Sequence, residues 1–285
     1  MKIIANHAHV FQESKRPQGT ISVLKQVMDE CGISQAVAFA PFPRHFNYDE
    51  EPNTNPNRWL YSKIKDDDRL YGFGVIDMNK DNVVEQVQEI YDLGLNGIKM
   101  HPAFQHFAVD DKKAYSVYEK AEQLGLPISF HTGVHKARIR ESHTLLFDEV
   151  AFNFRNLKFT LEHVGGYSFF NEAVAVMSNN PKNTYAGITS VFDRGTNRCW
   201  YLGNEKVEEL IWQTSVKRLI FGLDFPYNGP DKIKEAISCI LSLNVDDEDK
   251  ERILGGNLLE FMMMHEQQKV KSWIENMRDC LYPAY

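Results

Sequence analysis

Short apolar runs alternate with longer amphipathic stretches along most of the chain. Eight of the short runs are Ile3–His7, Ala36–Ala40, Leu70–Ile76, Gly97–Met100, Ile128–His131, Phe159–His163, Thr184–Ile188 and Arg218–Gly222. Their near-continuous apolar character suits strands covered on both faces, as in a parallel sheet. Between them, Thr20–Cys31, Asn82–Leu93, Lys112–Gly125, Thr144–Phe154 and Asn204–Thr214 carry apolar positions at helical spacing. Gly32, Gly94 and Gly125 stand where helices should stop, since glycine takes the left-handed turn there. Strand ends recur about every 30 residues, the length of one βα unit. Eight units in 285 residues predict an α/β single domain, a (β/α)8 TIM barrel over about residues 1–262. The alternative is an open doubly wound sheet, but no glycine-rich dinucleotide fingerprint follows the first strand. After the eighth strand, Asp231–Leu243, Asp246–Phe261 and Gln267–Cys280 read as extra C-terminal helices, the last within a tail over 263–285. Pro41–Asn57 is the longest irregular stretch, and it follows strand 2 on the face where barrel enzymes carry their sites.

Composition narrows the class. Hydrophobic residues are 43% and charged residues 25% of the chain, which excludes a disordered or fibrous protein. The net charge of -7 lacks the basic footprint of nucleic-acid binding. No apolar run approaches the ~18 residues of a membrane span. The start, MKIIANHAHVF, has no signal-peptide hydrophobic region, so a cytoplasmic protein is expected. Cys31, Cys199, Cys239 and Cys280 form no C-x-x-C pair and read as free thiols. The expected partner is a small-molecule substrate, not nucleic acid or membrane, with a homo-oligomer left open.

Candidate chemistry gathers at strand ends. Residues two apart on a strand face one way, so His7 and His9 can both enter the barrel mouth and share an ion. Neutral imidazole suits Zn²⁺, and also Fe, Co or Ni. Alone, an H-x-H pair is a weak signal. In Leu219-Ile220-Phe221-Gly222-Leu223-Asp224-Phe225-Pro226, alternation sends Leu219, Phe221 and Leu223 outward and Ile220, Gly222 and Asp224 inward. An isolated inward carboxylate costs several kcal/mol unless it meets a cation, a metal or strong donors. A helix cap or a buried salt bridge is the plainer explanation of Asp224 taken alone. His131 ends strand 5 and His163 ends strand 6, and either by itself reads as a core histidine. Together, four histidines and an aspartate fall at the C-terminal ends of strands 1, 5, 6 and 8, which converge on one mouth in a barrel. Lys99 and His101, two apart on strand 4, are weaker candidates for binding substrate, and His101 otherwise only fixes the turn before Pro102. His135, Arg138 and Arg140 after strand 5, and Arg194, Arg198 and Trp200 after strand 7, would suit a carboxylate or a solvated face equally well.

Six stretches carry a resemblance: Asn6-His7-Ala8-His9, Gly97-Ile98-Lys99-Met100-His101-Pro102, Phe130-His131-Thr132-Gly133, Glu162-His163-Val164-Gly165-Gly166, Phe221-Gly222-Leu223-Asp224-Phe225-Pro226 and Ile253-Leu254-Gly255-Gly256-Asn257. In order and spacing the chain resembles the amidohydrolase superfamily, in its branch of amidohydrolases, lactonases and decarboxylases of the aminocarboxymuconate-semialdehyde type. The resemblance implies one divalent ion held by His7, His9, His131 and Asp224. Zinc is the expected ion, with manganese, iron, cobalt or nickel as alternatives. It further implies that His163 shuttles the proton of a metal-activated water, with Asp224 both ligand and proton partner. In binuclear relatives a strand-4 lysine is carbamylated and bridges two metals, but here the mononuclear branch is the better match for Lys99. Where relatives read Gly-Ser-Asp-Tyr-Pro on strand 8, this chain reads Gly222-Leu223-Asp224-Phe225-Pro226, which leaves the aspartate in place. The leading expectation is a metal-dependent hydrolase of a small ester, lactone or amide. The alternatives are metal-dependent non-oxidative decarboxylation in the same site, and a non-catalytic metal-binding barrel.

Overall fold

A computed structural model describes residues 2–195 and 198–263, so the expected helix Gln267–Cys280 lies outside the described residues. Nine strands form one parallel sheet: β1 (Ile3–His9), β2 (Ile33–Phe39), β3 (Leu70–Val75), β4 (Gly97–Met100), β5 (Ile128–His131), β6 (Phe159–Glu162), β7 (Thr184–Gly187), β8 (Leu219–Ile220) and β9 (Gly222–Phe225). The eighth expected strand is thus broken in two. β8 pairs with β7 at Leu219↔Ala186, and β9 pairs with β1 at Asn6↔Gly222. Only Phe221 separates the two pieces, so the sheet returns on itself and closes the TIM barrel. Arg218 belongs to a 3-10 turn before β8 and not to the strand.

Helices alternate with the strands: α1 (Ile21–Cys31), α2 (Pro56–Ile64), α3 (Val83–Asp92), α4 (Pro102–Gln105), α5 (Lys112–Leu124), α6 (Leu146–Asn153), α7 (Gly166–Asn179), α8 (Gly203–Gln213), α9 (Pro230–Leu241) and α10 (Asp247–Glu251). Thr20 caps α1 by accepting from the Val23 N–H, and Gly32 ends it at φ 68°. The irregular stretch after β2 is shorter than its Pro and Asn content suggests. Asn55 accepts from two backbone N–H groups and starts α2 at Pro56. The segment 246–261 is not one helix either. After α10 the backbone makes a π turn over Arg252–Gly256, and helix resumes over 257–263. Gly255 sits against the start of β1, where a Cβ would lie 3.1 Å from Ile4 N and Lys2 O.

Two apolar clusters flank the strands. The larger lies between strands and helices and takes Leu219, Phe221 and Leu223, as the alternation predicts. The smaller fills the barrel: Ile4, Val37, Phe39, Phe73 and Ile220, with Leu258, Phe261 and Met262 from the last described helix. That floor leaves the other end of the barrel to polar groups. No described helix is long and apolar enough to cross a membrane. Cys31, Cys199 and Cys239 are free thiols.

Candidate active site

The site starts from two irregular strands. β1 slips register between Ala5 and Ala8 as it pairs with β2, and His7 takes φ 66°. Across the ladder, β9 slips between Gly222 and Phe225, and Asp224 takes φ 54°. L-residues rarely enter this left-handed region, which costs about 1–3 kcal/mol per residue and marks bulges that re-aim side chains. The consequence is visible in β1. Ala5 and Ala8 face the outer core, while Asn6, His7 and His9 all face inward. Simple alternation would have put Asn6 outside.

His7, His9 and Asp224 bring their ligand atoms within 4.8 Å of one another. His7 Nε2 lies 3.1 Å from His9 Nε2 and 3.6 Å from Asp224 Oδ1. Burial holds His7 and His9 well below the ordinary histidine range, so the imidazoles are neutral donors of electron pairs. A histidine lone pair, a second imidazole and a carboxylate turned toward one point can hold a divalent cation. His131 is not in this tightest group. Among the described residues its buried Nε2 has no partner, and such an ion would satisfy it. Asp224 is held by the Ser190 hydroxyl at 2.8 Å, itself held by Asn228 at 2.9 Å. Burial pushes the Asp224 carboxyl up to about 6, against the Ser190 bond that lowers it.

Beneath the histidines lies Glu162, a residue whose role the strand pattern left unassigned. It is fully buried and accepts five hydrogen bonds. Asn6 Nδ2, Ser129 Oγ and Thr160 Oγ1 donate to Oε1 at 2.8, 3.0 and 2.6 Å. His7 Nδ1 and Thr189 Oγ1 donate to Oε2 at 2.9 and 3.0 Å. A carboxylate facing so many donors accepts from His7 Nδ1–H, which leaves the lone pair of His7 on Nε2, toward Asp224. The glycines opposite make room, since a Cβ on Gly187 would strike Glu162 Oε2 and one on Gly222 would strike Thr189 Oγ1. Lys99 shares this layer. It does not border the cavity; among the described residues its ammonium has no hydrogen-bond partner, and it lies 5.0 Å from the Phe39 ring centroid. Burial lowers Lys99 to about 8, opposed by Glu162 and Asp224.

His163 lies beside the ligand group at φ 64°. Its Nδ1–H donates to the Thr189 carbonyl at 2.7 Å, so Nε2 carries the lone pair. Burial lowers it to about 4, so it is neutral near pH 7. Trp200 stacks on His163 with centroids 4.4 Å apart and planes 12° apart. His101 stacks on His131 with centroids 3.7 Å apart, and its Nδ1 accepts from the Phe104 N–H at the start of α4.

These residues enclose a cavity of about 440 Å³ lined by the histidines, Asp224 and the rings of Phe11, Phe42, Phe104, Trp200 and Tyr227. His135 is also in its wall. Arg138, Arg140, Arg194 and Arg198 are not, and Arg140 instead pairs with Asp110 at 2.9 Å. A larger crevice of about 850 Å³ runs between the loop after β2 and α3. It contains none of the expected site residues, and its Arg58 and Glu89 are already paired at 2.6 Å.

The family model described as amidohydrolase, the Amidohydro_2 branch, matches residues 24–260. The chain belongs to that family. Among curated proteins none matches it. Solved structures do. An uncharacterised TIM-barrel protein from Bordetella bronchiseptica superposes with a TM-score of 0.75 at 19% identity, over 93% of this chain and 100% of its own. The 5-carboxyvanillate decarboxylase of Sphingomonas paucimobilis gives 0.71 at 15%, over 92% and 99%. A dihydroxybenzoic acid decarboxylase from Polaromonas, solved with manganese and the inhibitor 2-nitroresorcinol, gives 0.71 at 15%, over 92% and 97%. At such identities these neighbours show the fold alone.

Proposed function

We propose that this amidohydrolase is a metal-dependent hydrolase of a small ester, lactone or amide. The observation that carries the reading is His163. Its Nδ1–H is committed to a backbone carbonyl, and its Nε2 lone pair is free beside the ligand group. Bound by His7, His9, His131 and Asp224, a divalent ion would supply positive charge that polarises a carbonyl oxygen and acidifies water. The side chains do the remaining work. His163 accepts a proton at Nε2 from the attacking water and returns it to the leaving group. Asp224 stays oriented by Ser190, and Trp200 keeps bulk water off the face of His163. Zinc is the ion we propose from the histidine-rich donor set, with manganese, the ion in the Polaromonas neighbour, next. A reducing, cytoplasmic setting belongs to the same reading, supported by the free thiols.

His163→Asn tests the assignment on a panel of lactones, esters and amides. We expect retained zinc and fold with turnover lost by about 10²–10⁴-fold. Unchanged turnover would remove His163 from the mechanism. One observation favours a second reading, non-oxidative decarboxylation: the aromatic walls fit a planar ring, and two of the neighbours named above are decarboxylases of aromatic acids. CO₂ release from hydroxylated benzoic acids, without hydrolysis of the panel, would replace the first reading by the second.

A further inference from the structure

The cavity has an unusual shortage of cationic donors. Among the described residues that line it there is no lysine or arginine, and among the described residues the buried Trp200 indole N–H has no partner. A ligand oxygen turned away from the metal ligands can find its hydrogen bond at the Tyr227 hydroxyl or among the imidazoles. Two of them are fixed by the backbone in opposite tautomers. His163 gives its Nδ1–H to the Thr189 carbonyl, which leaves Nε2 as an acceptor. His101 does the reverse. Its Nδ1 accepts the Phe104 N–H at 3.2 Å, which a protonated Nδ1 could not do, so the ring proton is on Nε2.

The His101 ring is also clamped. It stacks on His131 at 3.7 Å with a 13° interplanar angle, and meets His135 edge-on at 4.5 Å. Its own N–H donates to Gln105 Oε1 at 2.8 Å, and Gln105 Nε2 donates to the Ile76 carbonyl at 2.6 Å. Among the described residues nothing accepts from His101 Nε2. Its ring lines the cavity, as that of His131 does.

We propose that His101 is a substrate-binding residue whose Nε2–H donates to a carbonyl or phenolate oxygen of the bound molecule, across His131 from the acceptor His163. The site therefore selects a molecule with a hydrogen-bond acceptor on the His101 side and a proton to surrender on the His163 side. A neutral imidazole gives a single directed bond, so the acceptor favoured is a carbonyl or delocalised phenolate oxygen over a free carboxylate, which calls for a guanidinium fork. The inference rests on the metal-site reading above and adds the polarity of the pocket to it.

The test uses the full chain labelled with nitrogen-15 in its histidines. Long-range proton–nitrogen spectra of the metal-free protein report which ring nitrogen of His101 holds the proton. The proton is expected on Nε2, and a proton on Nδ1 overturns the assignment whether or not the metal reading holds. Zinc and then millimolar 2-nitroresorcinol are added, and the Nε2–H signal of His101 should move. A signal unmoved by the probe overturns the proposal, while a chain that takes no zinc separately sinks the metal reading. Two variants part binding from structure. His101→Asn keeps an acceptor for the Phe104 N–H but loses the donor. His101→Gln reaches the donor position but gives up the cap. The Asn variant should melt like the native chain and bind the probe at least about tenfold more weakly. The Gln variant should melt lower and bind better than Asn. The opposite order would mean that His101 only braces the turn.

Discussion

Glu162→Gln is the sharpest probe of the site, because it changes a charge without changing a shape. Glu162 accepts from five donors, and two of those bonds matter for the histidine above it. His7 Nδ1–H and Thr189 Oγ1–H both end on Oε2, at 2.9 and 3.0 Å. A glutamine must place its amide nitrogen on one side or the other. Turned toward His7, it meets a donor with a donor, and His7 escapes by moving its proton to Nε2. That proton then occupies the position from which His7 would bind the ion. Turned toward Asn6, Ser129 and Thr160, it leaves His7 a neutral carbonyl in place of a carboxylate, a weaker acceptor that makes Nε2 less basic. Both outcomes weaken the metal site. Outer-shell partners of ligating histidines typically account for 10–100-fold in affinity, or about 1.4–2.8 kcal/mol. Folding should weaken as well. The substitution keeps the volume, but it turns an amide nitrogen toward two or three buried donors, which costs about 1–3 kcal/mol. Competition between the protein and a chromophoric chelator gives zinc affinity, and urea unfolding of the metal-free chain gives stability. We expect the first to fall by about 10–100-fold and the second by about 1–3 kcal/mol. Equal zinc affinity in the two proteins would show that Glu162 fills the barrel and nothing more.

Three further outcomes follow from the structure. Gly166→Ala should disturb the far wall of the cavity, because its Cβ would lie 2.5 Å from the Cys199 carbonyl at a backbone φ of 64°. The loss should be about 1–3 kcal/mol in unfolding, with a tryptophan fluorescence change that disappears in a Trp200→Phe background; fluorescence identical to the parent would refute the link between that glycine and the Trp200 stack. The metal-free protein should lose stability in acid. Burial keeps His7, His9, His101, His131 and His163 unprotonated in the fold, whereas they titrate near 6.5 once unfolded. Their contribution is complete above 6.5 and lost as the pH falls; His163, lowered to about 4, accounts for up to about 3 kcal/mol. Asp224, raised to about 6, has the opposite sign, with stability present below 3.8 and lost as the pH rises through 6. One carboxyl offsets about one histidine, so the urea midpoint should drop between pH 7 and 5, and a flat profile would contradict the burial of the cluster. Phe261→Ala should cost about 3–5 kcal/mol through the void left in the barrel floor, yet leave zinc affinity unchanged, because Phe261 sits in the apolar cluster at the far end of the barrel.

The sequence exposed the frame of this site far better than its support. Continuous apolar runs and glycine stops follow from burial on both faces and from left-handed caps, forces that act within a few residues. That is why β4 and β5 begin and end where periodicity puts them. Metal-ligand candidates were visible because strand ends converge in a closed barrel. What stayed hidden depends on departures from period two, or on contacts between distant segments. Alternation does face His7 and His9 to one side, but the actual backbone bulges at His7, and the same bulge brings Asn6 inside to hold Glu162. The Trp200 stack on His163 joins loops after β7 and β6 through a close approach at Gly166, and no local pattern announces it.

Glu162 is different, because its signal was present. In Phe159-Thr160-Leu161-Glu162, alternation sends Phe159 and Leu161 to the outer core, and they are found there. Thr160 and Glu162 must then point into the barrel. An inward carboxylate without donors is too costly to keep, which is the argument that singled out Asp224. Applied to β6, it demands a cluster of donors around Glu162 and small residues opposite. The inward positions of the neighbouring strands supply both, Ser129 on β5 and Gly187 on β7, while Gly222 on β9, across the barrel, makes room for the donor Thr189. A glycine at an inward position therefore has a reading beyond flexibility. Where a buried side chain elsewhere needs many partners, the missing Cβ is the space those partners require. An inward acid paired with inward glycines on adjacent strands is thus a pattern that strand alternation alone can reveal in other barrels.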